Sequence, residues 1–418
     1  MNTPPNTSST EFNPNDKTPP NSAGTEIIEV DGENVKSVVD ANEYPLGFRA
    51  CESVENYEFM NQIGTGSYGV VSRARCKKTG DIVALKRIKL PQELLVEGFP
   101  TSALREISTL MQMQHPNLVN AHEVVVGSDY NKIFVVMDYM DHTVKDLNEI
   151  MKQRFTQAEV KCLLIQLLDG VKYMHDNWVQ HRDIKTSNLL LDNHGNLKIC
   201  DFGLARKYSD PPRAYSPVVV TLYYRAIEIL LGEKKYTPAI DMWSVGCVFA
   251  ELLLKKPLFQ GNGELDQIKQ IFDVLGLPSE SRWEGFQELP NVKKFHFTGS
   301  KTNNLHKRFT QQIGMTNNLP ILSKLGLDLL ERMLEFDPKL RITADEALKH
   351  PYFKESPLPK SKVMMPTFPA TVHETGHRGH KRKHDEIVQE KAAPENSLFD
   401  RELQDLYEQN VNNRDSIF

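Results

Sequence analysis

The chain has 418 residues, 39% of them hydrophobic, with Lys+Arg 50 against Asp+Glu 55 and a formal net charge of −5. At about 150 residues per domain, this length fits two to three domains. The slightly negative balance excludes a whole-chain basic field for nucleic acid, though not a local patch.

Residues 1–50 are rich in Pro, Asn, Ser, Thr and acids, and Phe12 is the only aromatic before Tyr44. Such a segment buries too little apolar surface to offset its ordering entropy, so a disordered tail is expected. No apolar run of a secretory signal follows Met1. The best apolar run, Val245–Leu254, is broken by Glu251 and is too short to span a bilayer. Cys51, Cys76, Cys162, Cys200 and Cys247 are odd in number, far apart and never in a C-x-x-C pair. That usage argues against a disulfide framework or a cysteine zinc module and fits a reducing compartment.

Tyr57–Ile63, Val70–Arg75 and Ile82–Ile88 are short β-branched runs, the last two punctuated by Thr79-Gly80. They read as antiparallel strands. Thr101–Met113 has helical spacing, and Ile133–Met140 reads as a further strand. Thr156 and Glu159 form a capping box ahead of an apolar face made by Val160, Leu163, Leu164, Leu167, Leu168, Val171 and Met174. Helical patterns recur at Ala239–Lys256, Asp266–Leu275 and Leu325–Leu334. A second capping box, Thr343 with Glu346, opens a helix ending near His350. From residue 356, Pro357, Pro359, Pro366 and Pro369 lead into a His/Lys/Arg-rich stretch, expected to be a second, mostly disordered tail to residue 418. A small β-rich lobe thus precedes a larger helical one.

Three motifs carry chemistry. Gly64, Thr65, Gly66, Ser67, Tyr68, Gly69, Val70 and Val71 form a Gly-rich turn between two strands. Glycines let backbone come close to phosphates. Alone, G-x-G-x-x-G suits a dinucleotide turn or an ordinary hairpin equally, but a dinucleotide site needs a helix next and strand residues follow here. Val83-Ala84-Leu85-Lys86 puts a lysine on a strand, and Glu106 stands in the helix beyond. Either alone reads as surface; together, the carboxylate can hold a lysine that contacts phosphates. The third is His181, Arg182, Asp183, Lys185 and Asn188, followed by Asp201-Phe202-Gly203. It sets a base beside an attacking hydroxyl and two oxygen ligands for Mg²⁺.

In order and over roughly residues 57–353, these motifs resemble the eukaryotic protein kinases. The segment Thr101, Ser102, Ala103, Leu104, Arg105 and Glu106, after Gly98-Phe99-Pro100, is similar to the cyclin-docking signature of the cyclin-dependent kinases in its PITSLRE variant. His175–Trp178 through Asn188–Leu191, Ala214–Thr221 and Met364–Pro369 resemble the same branch, and Gly276–Phe309 resembles the insert of its kinase group.

The resemblance implies an α+β, two-lobed kinase fold with ATP and Mg²⁺ between the lobes. Asp183 would be the catalytic base, Lys185 would steady the transferring phosphoryl group and Thr221 would hydrogen-bond Asp183. Asn188 and Asp201 would hold the metal, and Lys86 would pair with Glu106. The adenine would lie between Ile63, Val71, Ala84 and Leu190 beside Met137, bonded to the backbone of Asp138 and Met140. Glu228 would pair with Arg341, and Asp241 would brace the catalytic loop. Ser67, Tyr68 and Ser216 would be regulatory phosphosites, the last read by Arg105, Arg182 and Arg206.

Three departures stand out. Ile227 replaces the Pro of A-P-E, which is expected to loosen the activation segment modestly. Thr143 stands where relatives often place an Asp near the ribose, and Pro-Thr-Ser-Ala-Leu-Arg-Glu replaces the family's PITSLRE, which bears on cyclin choice. In the second tail, His373, His377, His380 and His384 have helical spacing, but Gly376 and Gly379 argue for a solvated tail. Lys381-Arg382-Lys383 fits a nuclear import signal.

The expectation is a cyclin-bound Ser/Thr kinase acting on Ser/Thr-Pro proteins, with no direct nucleic-acid or membrane partner. An L-type cyclin, a nuclear location and a role in transcription, RNA processing or the cell cycle are implied by the resemblance alone. A pseudokinase scaffold binding a cyclin is the rival class.

Overall fold

Val83, Ala84, Leu85 and Lys86 are buried in an unbroken row, the pattern of a strand covered on both faces. That strand, β4 (Ile82–Ile88), lies inside a six-stranded sheet in the order β1-β5-β6-β4-β3-β2. Its neighbours are β1 (Glu52–Ser53), β2 (Tyr57–Gly66), β3 (Gly69–Cys76), β5 (Ala121–Val126) and β6 (Ile133–Asp138). All pairs are antiparallel except β1 with β5. One face of the sheet carries Val83, Leu85, Phe134 and Val136 into a small outer cluster. The other carries Ala84, Val135 and Met137 into the main core. The period-2 alternation therefore sorts the strand residues into two cores. The computed structural model describes residues 51–66, 69–88, 101–128, 132–209, 221–295, 297–310 and 321–368. The tail expected over 1–50, Ser67, Tyr68, Ser216, residues 369–418 and the side chains of Arg105 and Glu106 lie outside that set.

After β4 come α1 (Thr101–Gln112) and, beyond β5 and β6, the short β7 (His142–Thr143) and α2 (Val144–Ile150). The larger lobe continues with α3 (Gln157–Asp176), β8 (Val179–Gln180), β9 (Leu189–Leu191), β10 (Leu197–Ile199) and β11 (Arg206–Lys207). It closes with α4 (Ile227–Leu230), α5 (Ala239–Leu254), α6 (Glu264–Leu275), α7 (Pro290–Lys294), α8 (Leu305–Thr310), α9 (Lys324–Met333) and α10 (Ala344–Leu348). The fold is α+β. Both expected capping boxes form: Thr156 and Glu159 bond reciprocally before α3, and Thr343 and Glu346 do so before α10. Helix α5 buries Ile240 through Leu254 without interruption. An all-round apolar helix of this kind sits in the middle of a lobe.

Three readings need correction. The strand expected to reach Met140 ends at Asp138, because the Asp138 side chain is drawn to Asn120, His122 and Lys198 and the chain leaves the sheet. Strand β5 was not anticipated. The tail expected from residue 356 is instead packed on the lobe as far as Phe368, with Met365 5% exposed. Among the described residues no helix is long and apolar enough to cross a membrane.

Ile227 is fully buried at the first position of α4. A proline there would lack only an N–H that has no partner within the helix, so the hydrogen-bond pattern does not demand one. Nearby, Arg341 donates to both carboxylate oxygens of Glu228 at 2.7 and 2.9 Å, with both side chains at most 1% exposed. This forked geometry is the one in which a buried ion pair best offsets its desolvation.

Candidate active site

The site is a cavity of about 310 Å³, within the range of small-ligand pockets. Its roof comes from the first hairpin. Ile63, Gly64, Gly69 and Val71 line it, whereas Val70 does not. The register explains the difference. Val71 pairs with Lys86 and Val70 with Arg87, so the two valines occupy opposite faces of β3. Gly69 is required by contact: a Cβ there would lie 2.1 Å from the Arg87 carbonyl oxygen. The side chain of Thr65 and the Cβ direction of Gly66 lie outside the described residues.

The back and hinge of the cavity are Ala84, Lys86, Met137, Asp138 and Met140, with Leu190 as floor. Ala84 and Met137 are registered partners across β4 and β6. The Asp138 carboxylate accepts from Lys198 Nζ at 2.7 Å, His122 Nε2 at 2.9 Å and the Asn120 N–H at 3.0 Å. Burial alone would raise this carboxyl, but those three donors overcome it and hold the group well below the usual carboxylate range. The same contact raises His122 above the ordinary imidazole value.

Bonded to the lining residue Asn188 stands Asp183, 7% exposed. Its Oδ1 accepts from the Thr221 hydroxyl at 3.0 Å and the Thr221 N–H at 3.2 Å. Its Oδ2 lies 2.7 Å from Lys185 Nζ and 3.1 Å from Asn188 Nδ2. Lys185 also donates to the Thr221 hydroxyl at 2.9 Å. Asp183, Lys185, Thr221 and Asn188 are therefore one bonded unit drawn from two chain segments. Asp201 faces the cavity with Oδ1 3.4 Å from Lys86 Nζ. The side chain of Glu106, the expected partner of Lys86, is among those not described.

The loop before Asp183 and the turn at Asp201 share an uncommon backbone shape. Arg182 and Asp201 have φ of 67° and 65°, in the left-handed region that L-residues avoid. What fixes the loop is buried Asp241, 1% exposed, which accepts from the N–H groups of His181 and Arg182, both at 2.8 Å, and from His175 Nε2 at 3.0 Å. Burial would raise the Asp241 carboxyl, yet these bonds lower it overall. The Asp183 N–H donates to His181 Nδ1 at 3.2 Å, which leaves Nε2 as the donor to the Cys200 carbonyl at 3.0 Å. The link ties the catalytic loop to Asp201, and Phe202 packs edge-on against the same imidazole at 5.2 Å.

Arg182 donates to the Leu204 carbonyl at 2.7 Å and to the Tyr236 hydroxyl at 2.8 Å, and Arg206 donates to the Ala205 carbonyl at 2.7 Å. Arg206 opens β11 and pairs with Gln180 of β8, and Arg182 lies two residues beyond β8. Thr143 is committed to capping α2, accepting the Asp146 N–H at 3.0 Å, and both residues line the cavity. Val119, Asp146, Ser187, Cys200 and Phe202 are lining residues that sequence reasoning missed. Cys200 immediately precedes Asp201, and that adjacency was the signal available. Its thiol is pushed up to about 12, first by burial and then by Asp201, so it rests as the thiol.

Two oxygen donors, the Asp201 carboxylate and the Asn188 side-chain carbonyl, line one end of this cavity. Asn188 directs its amide N–H to Asp183, which leaves its oxygen for another ligand. One carboxylate and one amide oxygen suit Mg²⁺, which keeps waters and phosphate oxygens as its remaining ligands.

Comparison with known proteins agrees with this geometry. Residues 57–353 match the protein kinase domain, and the chain belongs to that family. Within it, the chain is similar to the cyclin-dependent kinases of the PITSLRE type. It is 55% identical over 322 residues to cyclin-dependent kinase G-2 of Oryza sativa, 54% over 327 to cyclin-dependent kinase 11A of Homo sapiens, and 50% over 343 to serine/threonine-protein kinase PITSLRE of Drosophila melanogaster. These alignments cover 77%, 78% and 80% of this chain, but the chain spans only 45%, 40% and 35% of those relatives.

Proposed function

We propose that the chain is an ATP- and Mg²⁺-dependent Ser/Thr protein kinase, active when bound to a cyclin and directed to Ser/Thr-Pro segments. The observation that carries this reading is the Asp183 unit. Its carboxylate is buried, oriented by Thr221 and Asn188, and flanked by the Lys185 ammonium. A substrate hydroxyl placed there would attack the γ-phosphorus as the bond to the β,γ-bridging oxygen breaks, and its proton would pass to Asp183. Lys185 would offset charge on the transferring group, and Lys86 would reach the α/β-phosphates. Asn188 and Asp201 would hold Mg²⁺, which neutralises phosphate charge when bound. The presence of Lys86, Asn188 and Asp201 around one cavity, with Asp183 bonded to Asn188, favours catalysis over a scaffold role.

Cyclin dependence rests on likeness to the named relatives and on Thr101–Glu106. The choice of an L-type cyclin and a nuclear location with a role in transcription, RNA processing or the cell cycle extend the same likeness, the location also drawing on Lys381-Arg382-Lys383. Phosphate on Ser216 would bring about −1.5 to −2 charges to Arg105, Arg182 and Arg206 and order the segment. The same charge on Ser67 or Tyr68 would repel the ATP phosphates.

The test is phosphoryl transfer by the full chain, copurified with its cyclin, onto Ser-Pro and Ser-Ala peptides. Transfer confined to Ser-Pro, and reduced in Ser216→Ala, is the expected result. Absence of transfer to any peptide would contradict the enzyme reading.

A further inference from the structure

The protein kinase match ends at residue 353, yet the chain continues as a bonded strap to Phe368. Lys161 of α3, fully buried, donates to the carbonyls of Glu355 and Pro357 at 2.9 and 2.8 Å. The Lys360 N–H donates to the Ala158 carbonyl at 2.9 Å, and Lys360 Nζ meets Glu159 at 2.9 Å. Further on, the strap crosses the turn between β9 and β10. Gly195 there has φ of 78°, and a Cβ on it would lie 2.2 Å from the Lys362 carbonyl oxygen. Backbone approach this close needs glycine.

The strap then reaches the nucleotide cavity from behind. The Phe368 N–H donates to Asn193 Oδ1 at 2.8 Å, and the Asn193 N–H donates to Asp141 Oδ2 at 3.3 Å. The Phe368 ring stands edge-on to His142 at 5.7 Å and to Phe155 at 6.4 Å. Asp141 and His142 directly follow the hinge residue Met140, and all three line the cavity. His142 is also the registered partner of Leu191, next to the floor residue Leu190. Phe368 is not itself a lining residue, but it contacts lining His142 directly and lining Asp141 through Asn193.

We propose that residues 355–368 form a strap that sets the nucleotide site, with Phe368 as the positioning residue acting through His142 and Asp141. The proposal rests on the kinase reading, since it takes the cavity's ligand to be ATP. One edge-to-face contact, to His142, and the hydrogen bonds linking Phe368 through Asn193 to Asp141 hold the post-hinge segment, and loss of the ring lets Met140 drift from the adenine. The expected effect is about tenfold weaker ATP binding, equivalent to about 1.4 kcal/mol.

The test is calorimetric titration of the full chain with ATP and Mg²⁺, together with the unfolding midpoint. Phe368→Ala is expected to weaken binding about tenfold and Phe368→Tyr, which keeps the ring, to restore it. Val363→Ser, at a strap position 91% exposed, is expected to bind as wild type. A strap that only stabilises the lobe would lower the midpoint of Phe368→Ala without moving its affinity, and that result overturns the proposal. Phe368→Leu keeps an apolar side chain should the alanine variant not fold, and wild-type affinity in it would likewise overturn the idea. Wild-type protein that binds no ATP would sink the kinase reading, whereas binding that Phe368 does not influence sinks the strap alone.

Discussion

Replacing Asp241 by Asn isolates the brace beneath the catalytic loop. The side chain is 1% exposed and accepts three hydrogen bonds, from the His181 and Arg182 N–H groups and from His175 Nε2. An Asn keeps the volume but can accept on only one atom. Its NH₂ must then face a backbone N–H or the imidazole, leaving buried donors without partners. Each orphaned donor costs about 1–3 kcal/mol, and loss of the charge weakens the bonds that remain, so a loss of about 3 kcal/mol is expected. Urea unfolding followed by circular dichroism at pH 7 measures it. The sign with pH follows from the lowered carboxyl. A group depressed in the folded state contributes above its unfolded pKa and loses that contribution as pH falls through the folded one. The gap between wild type and Asp241→Asn should therefore stay level from neutral pH down to about pH 4 and shrink only below it. A difference under about 1 kcal/mol, or a gap already closed at pH 6, would refute the reasoning.

Thr221→Ala removes the hydroxyl that joins Asp183 to Lys185; kcat should fall about tenfold or more with little change in ATP affinity, read by steady-state kinetics. Gly69→Ala drives a Cβ to 2.1 Å from the Arg87 carbonyl, so the β3–β4 pairing must open; the thermal midpoint should drop and ATP binding weaken, both measurable by a melting assay with and without nucleotide.

Much of the site was legible because its chemistry is local in sequence. Asp183, Lys185 and Asn188 fall within six residues, and Asp201 follows shortly. Capping boxes such as Thr156 with Glu159 are equally local, so α3 was placed from four residues. What needed coordinates was phase and distance. Whether Val70 or Val71 faces the cavity depends on strand register, and β2–β3 carries irregularities between Phe59 and Asn61 and between Gln62 and Gly64 that no periodicity reveals. Strand β5 was hidden because its three valines come consecutively, without alternation. The Asp138 network joins residues as far apart as Asn120 and Lys198. The strap is proline-rich and polar, and what distinguishes it from a tail is its long-range bonding to Lys161, Ala158 and Glu159 and the packing of Met365 and Phe368.

The central claim, that Asp183 is the base of a phosphoryl transfer, is tested most directly by one paired measurement. Cyclin-bound wild type and Asp183→Asn are compared for single-turnover transfer from saturating ATP to a Ser-Pro peptide, with ATP affinity measured on the same preparations. The account predicts transfer reduced by about 10²-fold or more, with affinity within about threefold of wild type. Equal transfer rates in the two proteins, with ATP bound equally, would contradict it.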